Sequence, residues 1–309
     1  MHCALAGAGS PTGIRLAAEL LTRGHRLTLL TPSPPEQARI ALARRMVRLG
    51  LYPEYVDELA SRLDATGIHP GSPGGRYDAV WCVEPRGPHT VASLLAEAGG
   101  PRHTVFHLVT VGEPGAAGAL VESAALRDGF PAAVHRLAVP VSDLADHPQM
   151  PRPLFTRIAV DLAAALPAPT ADGRPLPGGL RLPGPVNLLP LGPAARALAD
   201  TGEETGRPGP RRYTVEHAVP VPPETLGEAL LRSLPHLRLN PTGPADGPWA
   251  PAQQTLDRLT GEAGPTEATG KAPAAIPQRT IELTLPAHNT AYLTRAARAA
   301  APTPYELPA

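Results

Sequence analysis

The chain has 309 residues, including 41 prolines and 30 glycines, and 42% of its residues are hydrophobic. The proline and glycine content lies just below the range typical of disordered chains, whereas the hydrophobic content is sufficient for a core. Because 28 basic residues balance 28 acidic ones, and no basic stripe is visible, the composition argues against nucleic acid as a partner. We expect an ordered protein of one large or two modest domains, with long proline-rich loops.

Cysteine and apolar patterns bear on the compartment. No apolar run approaches the length of a membrane span, so we expect no membrane partner. Residues 1–6 lack the basic start and the long apolar stretch of a signal peptide. The two cysteines, Cys3 and Cys82, lie in apolar runs, which excludes a disulfide scaffold and predicts a cytoplasmic protein. Lys271 is the one lysine in the chain, so every other basic residue is an arginine.

The first elements predict a βαβ unit. Residues 2–6 form a short apolar strand, followed by a glycine-rich turn at 7–13. A helix with one apolar face then runs to Gly24, and a second strand covers residues 26–30.

Strands and helices continue to alternate up to residue 145. We predict helices at 36–49, 54–63, 91–98 and 116–127, and strands at 77–83, 104–111 and 132–141. The arginines of the first of these helices, Arg45 among them, are expected to form a solvated face. Since the strands are almost continuously apolar, the pattern indicates an α/β fold with a Rossmann-type, doubly wound parallel sheet.

Beyond residue 145 the regular alternation fades. Helices are predicted at 154–166, 224–234, 252–261 and 290–300, and short strands at 186–191, 213–215 and 280–285. The proline-rich stretches 167–185 and 262–278 are expected to be either lids or disordered loops. We therefore predict a nucleotide-binding Rossmann domain at 1–145 and a smaller C-terminal substrate-binding portion at 146–309.

The glycine spacing of the first turn is the strongest motif in the sequence. Glycine allows a positive φ and a close approach of the backbone to a pyrophosphate. The start of the following helix offers free N–H groups and a partial positive charge to that phosphate. Because the turn lies between a strand and an amphipathic helix, it predicts a dinucleotide site, formed by Gly7, Gly9, Ser10, Pro11, Thr12 and Gly13.

The end of the second strand indicates which dinucleotide binds. An acid at this point would accept from the adenosine ribose and repel a 2′-phosphate. The chain instead has Thr31, Pro32 and Ser33, and no acid before Glu36. This favours NADPH over NADH, with Thr31 and Ser33 donating to the 2′-phosphate. The alternative is that these two residues only begin a turn.

Residues 7–25 resemble the glycine-rich turn and first helix of the extended short-chain dehydrogenase/reductase family, including its epimerase and thioester-reductase-like branches. The middle glycine of the family's turn is Ser10 in this chain. The stretch FHLVTV resembles the strand that bears the family's catalytic serine or threonine, which implies this role for Thr110. The resemblance also places Asp64 near the family's adenine-contacting acid and matches Arg136 to an arginine on its sixth strand.

The ends of the central strands are expected to border the cofactor crevice. The residues expected to contact the cofactor there are Val83, Pro85, Val109, Val139 and Pro140. Glu84 is either a functional acid or a loop carboxylate. His107 is expected to be a strand histidine packed in the core rather than an acid.

The family's chemistry requires a Tyr-x-x-x-Lys pair, in which the tyrosine protonates the carbonyl and the lysine holds the ribose. The resemblance places the pair at Pro114 and Gly118, neither of which has a suitable side chain. Glu267 lies four residues before Lys271, so the pair exists nowhere in the chain. Hydride transfer depends chiefly on orientation, and a positioned acid adds about 10²–10⁴-fold. A ketone that is hydrogen-bonded to its own phenol or enol tolerates the loss of such an acid.

These features resemble those of polyketide tailoring enzymes such as angucyclinone ketoreductases. We predict an NADPH-dependent ketoreductase acting on an aromatic polyketide-type small molecule, with the proton supplied by substrate or water. The alternatives are a non-catalytic dinucleotide sensor or scaffold and a redox-neutral isomerase on the same fold. No metal is expected, because Asp143, Asp146 and His147 lack a supporting ligand pattern.

Overall fold

The structure is a computed structural model that describes residues 1–51, 53–67, 77–98, 104–141, 152–168, 176–203, 208–234, 236–240, 247–263, 276–283 and 290–298. Within these ranges the helices are α1 (Pro11–Thr22), α2 (Pro35–Arg48), α3 (Pro53–Ala60), α4 (Pro88–Ala98), α5 (Gly115–Asp128), α6 (Leu154–Ala165), α7 (Leu191–Glu203), α8 (Pro223–Ser233), α9 (Ala250–Ala263) and α10 (Thr290–Arg298). The strands are β1 (His2–Ala6), β2 (Arg26–Thr31), β3 (Leu63–Gly67), β4 (Ala79–Val83), β5 (Val105–Val111), β6 (Pro131–Leu137), β7 (Val139–Val141), β8 (Leu188–Pro190), β9 (Gly209–His217) and β10 (Gln278–Leu283).

Eight strands form one sheet in the order β10-β9-β6-β5-β4-β1-β2-β3. Every neighbouring pair from β9 to β3 is parallel. The predicted α/β fold with a doubly wound parallel sheet is therefore confirmed. The strand order reverses between β1 and β4, and such a switch point leaves a crevice at the carboxyl ends of the strands. The glycine-rich turn begins at this point, directly after β1.

The central strands are apolar because helices cover both of their faces. All five residues of β4 are buried, and side chains of β1, β4, β5 and β6 form a common core cluster with α4 and α5. At the edge of this core, the carboxylate of Glu122 on α5 accepts two hydrogen bonds from Arg212 on β9. Burial of Glu122 requires such a partner, so the ion pair fixes α5 to β9.

Two elements, β3 and α7, were not expected from the sequence. Residues 54–63 were predicted to be one helix, but the helix ends at Ala60 and β3 follows. The β3 sequence, LDATG, has no apolar run, and its strand conformation comes from pairing with β2 at the sheet edge. The helix α7 was also missed. It packs against α1, and a Cβ on its Gly202 would lie 2.6 Å from the indole of Trp81.

The predicted strand at 132–141 is in fact two strands. The first, β6, ends at Leu137, and the second, β7, pairs with β8 in a separate two-stranded sheet. A backbone hydrogen bond from Val139 to Asn187 accompanies this second pairing.

The chain divides into two compact units, whose limits differ from the boundary predicted between residues 145 and 146. The first comprises Met1–Leu137, Leu191–Glu216 and Thr266–Leu283, and the second comprises Ala138–Pro190, His217–Pro265 and Thr284–Ala309. Neither unit is continuous in sequence, because the chain returns to the first unit to form α7, β9 and β10. Pairing with the edge of β6 draws β9 into that sheet.

The second unit contains the β7–β8 sheet with α6, α8, α9 and α10. Hydrogen bonds from Thr156 to the carbonyl of Ala296 and from Ser233 to that of Thr294 join its helices. Part of the predicted proline-rich lid is described here. Its Leu180 is bridged to Leu239, and its Pro177 carbonyl accepts from the indole of Trp249. Residues 169–175 and 264–275 of the predicted loops lie outside the described residues.

None of the helices described combines the length and apolarity that crossing a membrane requires. In the same part of the chain, no three histidine, cysteine or acidic side chains are arranged to hold a metal ion. The cluster at Asp143, Asp146 and His147 falls outside the described residues.

Candidate functional site

The first turn has the backbone geometry that its glycines suggest. Gly7 has a φ of +87°, and a Cβ there would lie 2.0 Å from the carbonyl oxygen of Val83. A Cβ on Gly13 would lie 2.1 Å from the carbonyl oxygen of Gly7. By contrast, a Cβ on Gly9 would meet nothing within 4 Å. Gly7 and Gly13 are therefore required by the fold, whereas Gly9 leaves open space above the turn.

Ser10, in the place of the middle glycine, is the N-cap of α1. Its extended backbone, with φ of −79° and ψ of 158°, needs no glycine, and its hydroxyl accepts a hydrogen bond of 3.0 Å from the Gly13 N–H. Pro11 then occupies the first helical turn, where its lack of an N–H costs nothing. The departure from the usual glycine pattern thus preserves the turn and caps the helix.

A cavity of about 1010 Å³ opens beside this turn. It lies wholly within the first unit, at the carboxyl ends of β1, β2 and β4. Seven of the predicted cofactor residues line it: Gly7, Gly9, Ser10, Thr31, Ser33, Val83 and Pro85. The cavity is large enough to enclose an extended organic ligand.

Besides Glu84, six polar residues of the cavity wall were not predicted as site residues. They are Gln37 and Arg45 on α2, Arg86 after β4, and His89, Thr90 and Ser93 on α4. Arg45 was expected on a solvated face, but it is half-buried and lines the cavity. The spacing of Gln37, Ala41 and Arg45 is the signal that could have found it, because residues four apart share one helix face. Two arginines thus face a cavity whose glycine turn suits a phosphate.

The structure at the end of β2 is compatible with both interpretations of Thr31 and Ser33, as contacts to a 2′-phosphate and as the start of a turn. The Ser33 N–H donates to the Thr31 hydroxyl oxygen at 3.0 Å, which forms a local turn, and both residues line the cavity. The next acid, Glu36, is paired with Arg39 at 2.8 Å. This arginine holds the pKa of Glu36 below its ordinary value. Among the described residues of the cavity wall, none at this end is acidic.

Glu84 is the anionic side chain of the cavity wall. Its carboxylate accepts a hydrogen bond from the Thr12 hydroxyl, and its N–H donates to the carbonyl of Val109 at 2.8 Å. Thr12 and Val109 are both buried and support Glu84 from behind. They are absent from the cavity wall, as are Pro11 and Gly13.

Three other predicted cofactor residues lie elsewhere. Asp64 is near the amino end of β3, where it forms an ion pair of 2.7 Å with Arg26 at the start of β2. Since the cavity lies at the carboxyl ends of these parallel strands, the structure does not bring Asp64 to it. Val139 and Pro140 belong to β7 of the second unit, so their contact with a cofactor stays a prediction.

Thr110 lies near the carboxyl end of β5, outside the cavity wall. Its hydroxyl is directed to the carbonyls of Gly112 and His135, at 3.3 and 3.4 Å. Arg136 is its neighbour in the parallel register, and this arginine pairs with Glu113 at 3.0 Å. A hydroxyl, a cation and a carboxylate are therefore adjacent at the edge of β5 and β6.

The positions assigned to the tyrosine and lysine are closely packed against each other. A Cβ on Gly118 would lie 2.6 Å from the Cβ of Pro114. Neither residue offers a titratable group, and a larger side chain at Gly118 requires Pro114 to move. Neither Pro114 nor Gly118 can therefore deliver a proton as the usual pair does.

His107 is packed in the core, as expected. It belongs to a row of stacked rings on β4, β5, β6 and β9, defined by Trp81, His107, His135 and Tyr213 and called here the ring stack. The two imidazoles share a hydrogen bond of 3.1 Å, and burial lowers the pKa of both. Burial also raises the pKa of the Cys82 thiol to about 12, so this cavity residue is a neutral, apolar contact.

Searches with the sequence match no family model and no curated protein. Solved structures share the fold. The terminal reductase domain of the myxalamid PKS-NRPS biosynthetic pathway superposes with a TM-score of 0.62 at 14% identity, over 96% of this chain and 90% of that one. The aureusimine biosynthetic cluster reductase domain gives 0.59 at 13% identity, over 97% and 89%. A mutant UDP-glucuronic acid 4-epimerase from Bacillus cereus, in complex with NAD, gives 0.55 at 11% identity, over 97% and 99%.

At these identities the likeness establishes the fold alone. The chain has the fold of reductases and epimerases with a Rossmann-like parallel sheet, and it spans nearly the full length of those proteins. The α/β fold that the family resemblance implied agrees with these structures.

Proposed function

We propose that the chain is an NADPH-dependent reductase of the extended short-chain type, acting on a ketone of an aromatic polyketide-type small molecule. The observation that supports this most is the cavity beside the glycine-rich turn, with Arg45 and Arg86 in its wall. Its position at the strand-order switch is where dinucleotides bind in doubly wound sheets.

The residues present fit a nicotinamide dinucleotide. The open space above Gly9 admits a pyrophosphate close to the backbone, and the start of α1 contributes a partial positive charge there. Gly7 and Ser10 hold the turn in the required shape. When bound, a reduced nicotinamide supplies the hydride for reduction of a carbonyl.

The choice of NADPH rests on charge at the adenosine end. Thr31 and Ser33 offer hydroxyls where NAD-specific sites place an acid. Glu36 is engaged by Arg39 outside the cavity wall. Arg45 and Arg86 are suited to a 2′-phosphate, because a guanidinium forms paired, charge-assisted hydrogen bonds with phosphate oxygens.

Thr110 is proposed to donate its hydroxyl hydrogen bond to the reacting carbonyl and so to orient it. Its present partners are two backbone carbonyls at 3.3 and 3.4 Å, which are long bonds that a substrate can replace. Pro114 and Gly118 provide no acid, so the proton is proposed to come from the substrate or from water. This favours ketones next to a phenol or enol, whose own O–H group hydrogen-bonds the carbonyl oxygen.

The test is a spectroscopic assay of NADPH consumption with a panel of aromatic polyketide ketones, with and without a neighbouring phenol. Consumption with the phenolic members and an isolated alcohol product support the proposal. Binding of NADPH without consumption indicates a sensor or scaffold, and product formation without cofactor indicates a redox-neutral isomerase. Absence of any binding of NADPH or NADH in calorimetry overturns the proposal altogether.

A further inference from the structure

Glu84 has a backbone conformation that residues other than glycine rarely adopt. Its φ is +47°, and it is the one non-glycine residue with positive φ among the described residues. Such a conformation persists only where the surroundings hold it, and it is frequent at ligand sites. Here the hydrogen bond to Val109 holds the backbone, and the 2.5 Å hydrogen bond from Thr12 holds one carboxylate oxygen.

The charge of Glu84 makes this position unusual. The cavity wall otherwise has two arginines and a histidine as its ionisable polar groups, which suits a phosphate. A carboxylate only accepts hydrogen bonds, so it needs donors from the ligand. Its second oxygen has no hydrogen bond from the described residues that would satisfy it in place of a ligand. Glu84 therefore matches a hydroxyl-rich part of the ligand rather than a phosphate.

The strand order indicates which hydroxyl-rich part of a bound dinucleotide lies next to Glu84. The pyrophosphate lies at the start of α1 and the adenosine at the end of β2. Since β4 is on the other side of β1 from β2, the remaining nucleoside extends towards β4. Glu84 directly follows β4, so the hydroxyls within its reach belong to the ribose next to the nicotinamide.

We infer that Glu84 is a positioning residue whose carboxylate accepts hydrogen bonds from the vicinal hydroxyls of the nicotinamide ribose. This rests on the proposed dinucleotide function and extends it. The resemblance places the family's ribose-holding lysine at Gly118 on α5, and the first 270 residues contain no lysine. A different group must therefore orient this ribose. The Thr12 hydroxyl and the start of α1 stabilise the negative charge of Glu84 beside the pyrophosphate position.

The test compares Glu84→Gln with wild type by calorimetry, using two ligands. NADPH contains the nicotinamide ribose, whereas adenosine 2′,5′-bisphosphate does not. Glutamine keeps the side-chain length and can still accept from Thr12, but it loses the charge that strengthens hydrogen bonds from hydroxyls. We expect the affinity for NADPH to fall about tenfold and that for the bisphosphate to stay unchanged. The matched control is Glu54→Gln, an exposed carboxylate on α3, which leaves both affinities unchanged.

Each other pattern overturns the inference. If both ligands bind Glu84→Gln more tightly, the carboxylate faces a phosphate and opposes it. If both bind equally more weakly, Glu84 only maintains the turn. If neither affinity changes, the side chain does not contact the ligand. A wild-type protein that binds no nicotinamide nucleotide overturns the proposed function, and this inference with it.

Discussion

Acid should destabilise this protein through the ring stack. His107 and His135 are fully buried and share one hydrogen bond, while His107 Nε2 and His135 Nδ1 have no partner among the described residues. Protonating either ring adds a buried N–H without an acceptor next to another imidazole. Desolvation by burial is the main reason that the pKa of both falls, that of His135 from 6.5 to about 3.

The magnitude follows from the difference between the folded and unfolded pKa values. In the unfolded chain a histidine binds its proton near its ordinary pKa, so between about pH 6.5 and about pH 3 the unfolded state binds more protons. The free energy of unfolding therefore decreases as the pH falls through this range, and only a small loss occurs just above it. From pH 7 to pH 5 one histidine that stays neutral when folded accounts for about 2 kcal/mol, and the pair for about 4 kcal/mol. This is a large part of the stability of a typical domain, about 5–15 kcal/mol.

The assay is urea denaturation at pH 7, 6 and 5 at constant ionic strength, followed by circular dichroism. The test variant is His107→Phe, which keeps a ring against Trp81 and removes one titrating group, so the pH-dependent loss should fall by about 2 kcal/mol. The control is His236→Gln, an exposed histidine of the second unit, which should leave the pH dependence of wild type. If the free energy of unfolding falls by the same amount between pH 7 and pH 5 in His107→Phe and in wild type, the ring stack is not the cause of the acid sensitivity.

Three further outcomes concern the candidate site. Gly9→Ala should fold with wild-type stability but bind NADPH at least about tenfold more weakly in calorimetry, because its methyl group points into open space above the turn. Gly7→Ala should instead lose thermal stability, because its methyl group would clash with the carbonyl of Val83. Equal thermal stability of the two variants would contradict this geometry. Thr110→Val should slow turnover by about tenfold without weakening NADPH binding, and complete loss of activity would rule out a positioning role. Arg45→Ala should weaken the binding of NADPH more than that of NADH in titrations. The control Arg44→Ala, at an exposed neighbour outside the cavity wall, should change neither affinity. An equal loss of affinity for both cofactors would argue against a 2′-phosphate contact.

The first βαβ unit was predictable because its signals are local. The strand, the glycine turn and the amphipathic helix lie within consecutive residues, and the turn has the conformation that Gly7 and Gly13 impose. The central strands were predictable because burial on both faces demands continuous apolar runs. Short or edge elements lack such runs, which is why β3 and α7 were missed.

The cavity wall was predicted only in part. The turn and strand ends were found, since parallel strands bring their carboxyl ends to one edge of the sheet. Arg45 was not found, because a charge on a helix gives no local sign of whether it faces solvent or a cavity. Asp64 was placed by resemblance, but its position near the start of β3 gives it Arg26 as a partner instead.

The sequence by itself determined the class of the fold, the glycine-rich turn and the absence of a Tyr-x-x-x-Lys pair, since each depends on residue identity at close spacing. Tertiary structure alone decided the return of α7, β9 and β10 to the first unit and the position of Arg45 and Arg86 beside the turn. It also decided the strained backbone that fixes Glu84 in the cavity. The physical reason is that these features depend on contacts between segments far apart in the chain, where no local pattern specifies the partner.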